Sequence, residues 1–307
     1  MIDILMATYN GEKFIKEQID SIISQSYSDW RLIISDDCSK DGTVDIIKVF
    51  QKKYPEKILI FENDEPSGSA QNNFFNAIKY STSDYIMFSD QDDVWLPDKI
   101  EKTYNKMIEI ESACDTNTPV LVHTDLKVVD RTLNTINDSL FEMMNMDSNR
   151  CAFNNLLVQN IVTGCTIMGN RELFNYLKKI PKNAVMHDMW IALIASAFGE
   201  IGFVDKSTML YRQHGNNSVG AKNTKSLSYI LYKIFHSKEI HNSLVKQYKQ
   251  AEEFKEIYSD KLSELQLDML KSYSSFERKT FMEKYKELKK YNMFKNSKIQ
   301  VLGQIFR

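Results

Sequence analysis

Long apolar runs are missing from this chain: nowhere do its 307 residues approach the roughly 20 apolar positions in a row that carry a helix across a bilayer. Cysteine is scarce. The four that exist, Cys38, Cys114, Cys151 and Cys165, are widely spaced and match no zinc or redox pattern, so a disulfide framework is excluded and free thiols of a cytosolic protein are expected. The opening residues carry no basic n-region of a signal peptide, and cytoplasmic residence is the expectation. Thr8 to Lys13 is poor in both glycine and basic residues, which argues against a basic, Gly-rich phosphate loop after the first strand. No internal repeat and no nucleic-acid motif is evident, so nucleic acid is not an expected partner.

What is present is an ordinary globular balance, 43% hydrophobic and 26% charged, with a net charge of -2. That small net charge hides an asymmetry. Residues 222–307 hold 18 Lys and Arg against 10 Asp and Glu, whereas the first 221 residues hold 21 against 31. Two regions with different partners are expected.

Over the first hundred residues, apolar runs of strand length alternate with helical patterns, which predicts parallel strands joined by crossover helices. Strands are expected at Ile2–Ala7, Trp30–Ser35, Lys57–Glu62 and Asp84–Ser89. Helices are expected at Glu12–Ser24, Thr43–Lys53 and Ala70–Tyr80. Further on, a helix is expected from Lys99 to about Ser112, strands at Val120–Thr124, Leu126–Asp130, Ile161–Met168 and Ile201–Tyr211, and a helix at about His187–Phe198. Residues 131–160 read as loop and short helix, and the chain is helical in pattern from about Ser226 onward.

The chemistry concentrates where strands end, as it does in open α/β sheets. Tyr85 to Ser89 runs into Asp90-Gln91-Asp92-Asp93-Val94-Trp95, three carboxylates within four positions. Like charges packed so closely repel unless a cation or hydrogen-bond donors offset them, and oxygen ligands suit Mg²⁺ or Mn²⁺. Taken alone, the run also fits a solvated acidic turn. Thr8-Tyr9-Asn10-Gly11 follows the first strand, and Asp36-Asp37-Cys38-Ser39 follows the second. An acid there can accept from a base ring N–H, and Tyr9 offers a stacking face; each stretch alone is equally a turn with capping residues.

In order and spacing, Ala7–Gly11, Ile34–Ser39, Gly68–Phe74, Ser89–Trp95, His187–Trp190 and Tyr211–Asn217 resemble the family 2 inverting glycosyltransferases of the GT-A fold, bacterial rhamnosyltransferase-like members in particular. The likeness covers residues 2 to about 217. It implies a Rossmann-like α/β fold with a mostly parallel central sheet and a catalytic domain over 1–220; the charge balance and helical pattern of the remainder give a basic helical C-terminal region over 221–307. It further implies that Thr8, Tyr9, Asn10, Asp36, Asp37, Asn72, Asp90 and Gln91 hold a nucleoside diphosphate sugar. Many relatives carry Arg near Asn72, and this chain does not. Asp90 and Asp92 match the Asp-x-Asp pair, with Asp92 the direct ligand of a divalent ion and His214 the remaining one; a lone histidine is otherwise a surface or structural residue. Asp188 is the expected base, taking the acceptor hydroxyl proton as inversion requires, although it also stands where a helix cap would. Asp93, Trp95, Asp125, Gly164, Cys165 and Trp190 are expected beside the donor sugar or acceptor, with core packing the competing role for the tryptophans and Cys165.

The expected activity is metal-dependent sugar transfer to a saccharide hydroxyl of bacterial surface polysaccharide, with dTDP-β-L-rhamnose as donor. UDP-hexose or UDP-N-acetylhexosamine fits the same nucleotide motifs. From another class, a non-catalytic glycan- or nucleotide-binding protein would keep the fold without the acids. The acceptor is expected to be lipid-linked, with peripheral membrane contact through the basic C-terminal helices, and homo-oligomerisation is open.

Overall fold

The computed structural model describes residues 1–177, 179–215 and 236–306. The chain forms two compact units, one of Met1–Leu140, Val162–Ile180 and Gly199–Ala221, the other of Phe141–Ile161, Pro181–Phe198 and Lys222–Arg307. The second unit therefore takes in two segments, 141–161 and 181–198, beyond the 221–307 extension read from the sequence.

The first unit is built on β1 (Ile2–Thr8), α1 (Ile15–Ile23), β2 (Trp30–Asp36), α2 (Thr43–Lys53), β3 (Ile58–Glu62), α3 (Ala70–Ile78) and β4 (Tyr85–Ser89), followed by β5 (Val94–Trp95), α4 (Lys99–Glu111), β6 (Val120–Val129) and β7 (Thr135–Asn137). After α5 (Leu140–Met144) and α6 (Phe153–Val158), the sheet resumes with β8 (Met168–Asn170); then come α7 (Arg171–Phe174), α8 (His187–Phe198) and β9 (Glu200–Arg212). The strands join in one sheet in the order β3-β2-β1-β4-β8-β6-β9-β5, with β7 beside β6. β1 is apolar at most positions and buried nearly throughout, the pattern of a central parallel strand covered on both faces. Its one acid, Asp3, is fully buried but receives Arg31 Nε at 2.9 Å and Ser81 Oγ at 2.7 Å, so it is a satisfied structural charge.

Two registers position the site. Parallel pairing sets Thr8 beside Asp36 and Met6 beside Ser89, so the loops after β1, β2 and β4 leave from the same sheet edge. Antiparallel pairing sets Val94 opposite Leu210 and Trp95 opposite Met209; two residues before Val94 and two after Leu210, the Arg212 side chain meets the Asp92 carbonyl.

Two expected elements differ. Ile161–Met168 is not a strand: Gly164–Thr166 is a 3₁₀ turn in which the backbone N–H and hydroxyl of Thr166 both donate to the Thr163 carbonyl, a local alternative to a ladder bond. Only Met168–Asn170 pairs, antiparallel to β4 and β6. The break expected at Asp125 is instead a register shift inside a continuous β6.

The second unit holds α8 together with α9 (Ser237–Tyr258), α10 (Glu264–Ser274), α11 (Phe281–Tyr291) and α12 (Lys298–Phe306). α10 and α11 both open on capping boxes, Ser263 with Gln266 and Thr280 with Glu283, which fix their starts. Its core is aromatic. Trp190 is fully buried, edge-on to Phe254 at 5.2 Å and within 6.2 Å of Tyr258.

Candidate active site

The loop after β1 is held by side chains from its neighbours. Gln91 accepts from Tyr9 N at 2.9 Å and donates to Tyr9 O at 3.0 Å, mimicking a strand partner. A Cβ on Gly11 would fall 2.3 Å from Gln91 Oε1, so glycine is what lets that amide lie against the loop. Asn10 adopts φ 49° and Cys38 φ 63°, left-handed conformations that cost on the order of 1 kcal/mol outside glycine. Asn10 is held by Lys40 N, which donates to its Oδ1 at 2.8 Å, and by Ser39 Oγ, which accepts from its N–H at 2.9 Å. The loops after β1 and β2 are thus one bonded assembly, from which the Tyr9 ring stands 56% exposed.

Beneath it, Asp36 accepts from Thr8 Oγ1 (2.9 Å), Ser39 Oγ (2.6 Å) and Ser39 N (2.8 Å). Asp37 accepts from Ser67 N (2.6 Å), Ser67 Oγ (2.9 Å) and Asn63 Nδ2 (2.9 Å). Both carboxylates are buried, and each still has one lone pair on Oδ2 beyond these bonds. Asn72 begins α3 beneath the Ser69 cap and donates to Ser67 O at 2.8 Å. The Asn63/Ser67 clamp on Asp37 was not read from the sequence.

At the end of β4, Asp92 Oδ2 lies 2.6 Å from His214 Nε2, and the imidazole stacks on Phe14, centroids 4.9 Å apart. Arg212 fastens this end of β9. Its N–H donates to Asp93 Oδ1 (3.0 Å), Nε to Asp92 O (2.8 Å), Nη1 to Arg131 O (2.8 Å) and Nη2 to Glu17 Oε2 (2.5 Å). The guanidinium also packs over Phe14 at 4.7 Å. Arg212 lay inside a motif visible in the sequence but had no assigned role; Phe14 and Glu17 gave no signal beyond the amphipathic pattern of α1.

Several expected contacts are corrected. Asp93 is fully buried and cannot touch a donor sugar. Burial, then the charges of Asp92 and Asp90, push its carboxyl well above the usual carboxylate range, partly offset by the Arg212 N–H. Trp95 is 2% exposed, with Lys99 Nζ 4.9 Å from its ring, and Trp190 is closed inside the aromatic core of the second unit, so neither offers a face to a sugar. Asp125 is buried; its carboxylate accepts from Leu126 N, Leu140 N and Ser139 Oγ, pinning the turn before α5. Gly164 and Cys165 are buried behind the acidic strand end. Burial raises the Cys165 thiol well above its ordinary range, which leaves it protonated and unreactive. Lys99, missed in the sequence, is fully buried beside this group and donates to Thr208 Oγ1 at 3.3 Å; burial lowers its pKa to about 8.

The donor set suits a hard divalent ion. Such ions take carboxylate oxygen and, for Mn²⁺, imidazole nitrogen, and Asp92 with His214 supplies one of each. Asp90, Asp93 and Cys165 present ligand atoms within 4.8 Å of one another, and Asp93 Oδ2 has no hydrogen-bond partner among the described residues. The buried, protonated thiol is a poor ligand for a hard ion, so within that group the carboxylates fit and Cys165 does not. In the second unit, Asp188 begins α8, where its Oδ1 accepts from Met189 N at 2.5 Å and the side chain is partly exposed. Asn216 and Asn217, which complete the motif around His214, lie outside the described residues.

Comparisons with known proteins identify the family and the fold. The model of glycosyl transferase family 2 matches residues 3–177. The dTDP-rhamnosyl transferase RfbG of Shigella flexneri is 35% identical over 230 residues, covering 70% of this chain and 74% of that protein. The putative teichuronic acid biosynthesis glycosyltransferase TuaG of Bacillus subtilis is 28% identical over 229 residues, 74% of this chain and 84% of the relative. Among solved structures, S. aureus TarS 1-349 aligns with a TM-score of 0.57 at 14% identity over 90% of this chain and 91% of its own. The mannosyltransferase PcManGT of Pyrobaculum calidifontis, in complex with GDP-Man and Mn²⁺, aligns at 0.56 and 15% over 99% and 85%. These structural likenesses show the fold, GT-A. The match over more than half the chain, with a relative 35% identical across most of its length, places this protein in glycosyl transferase family 2 as a glycosyltransferase.

Proposed function

We propose that the protein transfers L-rhamnose from dTDP-β-L-rhamnose to a saccharide hydroxyl, with inversion and with help from a divalent cation, in the assembly of a bacterial surface polysaccharide. The observation that carries the chemistry is the Asp92–His214 pair at 2.6 Å on the loop edge where β1, β2 and β4 end. The likeness to a dTDP-rhamnosyl transferase supports the donor.

In this reading Tyr9 stacks on the base, and the remaining Oδ2 lone pair of Asp37, the more accessible of the two acids, receives its ring N–H, with Asp36 holding Thr8 and Ser39 in place beneath it. The hydrogen-bonded loops keep that geometry before the donor arrives, which lowers the ordering cost of binding. Asp92, Asp90 and His214 hold Mn²⁺ or Mg²⁺. Such an ion, when bound, neutralises charge developing on the departing diphosphate. Asp93, accepting from the Arg212 N–H, underpins the loop, and Arg212 fixes both chain ends that carry ligands. Asp188 accepts the acceptor hydroxyl proton as the oxygen attacks the anomeric carbon from the face opposite the diphosphate. The acceptor is a lipid-linked saccharide.

A donor panel tests this: hydrolysis and binding of dTDP-rhamnose, UDP-glucose, UDP-galactose and UDP-N-acetylhexosamines, each with Mn²⁺, Mg²⁺ or EDTA. Metal-dependent preference for dTDP-rhamnose is expected. Preference for a UDP-sugar would keep the mechanism and refute the donor, and absence of binding to every donor would favour a non-catalytic protein.

A further inference from the structure

The second unit carries an exposed apolar surface that its own core does not use. On α11, Phe281, Met282 and Tyr285 project outward, while Lys284, Leu288 and Tyr291 form the buried face. On α12, Ile299, Leu302 and Phe306 recur at helical spacing on the exposed side, and Gln304 and Ile305 are buried. All six outward residues are between 41% and 68% exposed. Phe281 and Phe306 stack with centroids 5.9 Å apart, so the two stripes meet in a single patch. Contiguous apolar patches of this kind mark interaction sites.

The charges around the patch specify its partner. Lys286, Lys289, Lys290 and Lys298 are exposed on the same two helices. From Lys279 to Phe306 there are seven lysines and two glutamates. Both glutamates are occupied within the fold: Glu283 closes the capping box at Thr280, and Glu287 accepts from Ser272 Oγ at 2.9 Å. At 100° per residue, Phe281, Tyr285 and Met282 span one sector of α11, with Lys289 among them and Lys286 and Lys290 on the adjoining sector. Lysine stems can lie along an apolar surface while their ammonium groups reach outward.

We propose that α11 and α12 dock on an anionic bilayer surface, with the aromatic and aliphatic side chains entering the headgroup boundary and the lysines contacting lipid phosphates. The two-helix face thereby brings the enzyme to a lipid-linked acceptor; that consequence rests on the function proposed above, whereas the docking itself does not. A second copy of the chain is the weaker occupant, because a two-fold interface would set the same lysines against each other.

Co-sedimentation of the full-length protein with vesicles tests the proposal. Binding is expected to phosphatidylglycerol/phosphatidylcholine vesicles, to fall sharply with phosphatidylcholine alone, and to weaken in high salt. Lys289→Gln with Lys290→Gln is expected to weaken binding about 30-fold, roughly fivefold per lost charge. Leu302→Ser with Phe306→Ser is expected to weaken it at least about tenfold. Both pairs lie on the outer face, and an unchanged near-UV spectrum together with unchanged hydrolysis of soluble donor shows that each variant is folded. Equal binding to neutral and anionic vesicles, no vesicle binding, or a concentration-dependent dimer that Leu302→Ser with Phe306→Ser abolishes would each overturn the proposal. Because vesicle binding is measured without donor, its failure is separable from failure in the donor panel.

Discussion

Replacing Arg212 by alanine is expected to loosen the acidic loop and destabilise the sheet unit, and the size of the effect follows from the contacts. The guanidinium is 3% exposed and donates to the carbonyls of Asp92 and Arg131, both at 2.8 Å. A hydrogen bond from a charged donor contributes about 1.5–3 kcal/mol, and truncation strands both carbonyls. Glu17 is 55% exposed, so solvent screening holds that third contact below about 1 kcal/mol. Water entering the vacated space offsets part of the loss, which leaves roughly 3–5 kcal/mol. Unfolding needs a probe confined to this unit, since two compact units need not unfold together. Of the three tryptophans, Trp30 and Trp95 belong to the sheet and Trp190 to the other unit, so fluorescence in a Trp190→Phe background reports on the sheet. With an m-value of about 2 kcal/mol/M, the urea midpoint falls by about 1.5–2.5 M. Arg212→Lys, which keeps the charge but loses the fork, is expected to lie between. A midpoint within a few tenths of a molar of the parent, or full recovery by lysine, would refute the strap.

Asp188→Asn is expected to lower kcat by about 10²–10⁴-fold while donor affinity stays unchanged; equal loss of donor binding would assign Asp188 to the helix start alone, and calorimetry beside turnover separates the two. Trp190→Phe is expected to leave donor and acceptor KM unchanged, whereas Trp190→Ala costs about 3–5 kcal/mol by cavity formation; a raised acceptor KM in the phenylalanine variant would return the ring to the substrate. The pKa of Lys99, lowered by burial to about 8 from an ordinary 10.5, means that the unfolded chain binds the extra proton between those values. Stability should therefore rise as pH goes from about 8 towards 10, by roughly 1 kcal/mol or more, and Lys99→Met should flatten that rise; an unchanged slope would place the ammonium in contact with water.

The parallel half of the sheet was legible because its strands are short apolar runs ending in polar clusters, and α2 and α8 match their expected spans, Thr43–Lys53 and His187–Phe198. Position along such a strand sets which sheet edge a residue reaches, which is why Thr8, Asp36 and Asp90 could be placed at the strand ends from the sequence. Whether a side chain faces water or core at that edge depends on tertiary contacts. Asp93 differs from Asp92 by one position, yet it is buried against the Arg212 N–H while Asp92 meets His214. Trp95 and Trp190 carried the same ambiguity: large aromatic rings suit a sugar face and a core equally, and burial decided for the core. The ladder joining β5 to β9 was invisible because β5 has only two residues, Val94 and Trp95, too few for any periodicity. Residues 141–161 and 181–198 could not be assigned to the second unit from the sequence, since their partners lie far along the chain, 65 residues on for Val185 with Gln250 and 137 for Asn154 with Tyr291.

Whether Asp92 and His214 hold a divalent ion is tested by Mn²⁺ titration in the presence of dTDP, followed by calorimetry for the parent protein, Asp92→Asn and His214→Ala. If Asp92 and His214 hold the ion, each variant loses at least about tenfold in Mn²⁺ affinity, and the double variant loses little more than the larger single loss, as expected for ligands of one site. Parent-like Mn²⁺ affinity in both variants would leave the 2.6 Å contact as a structural pair that holds no ion.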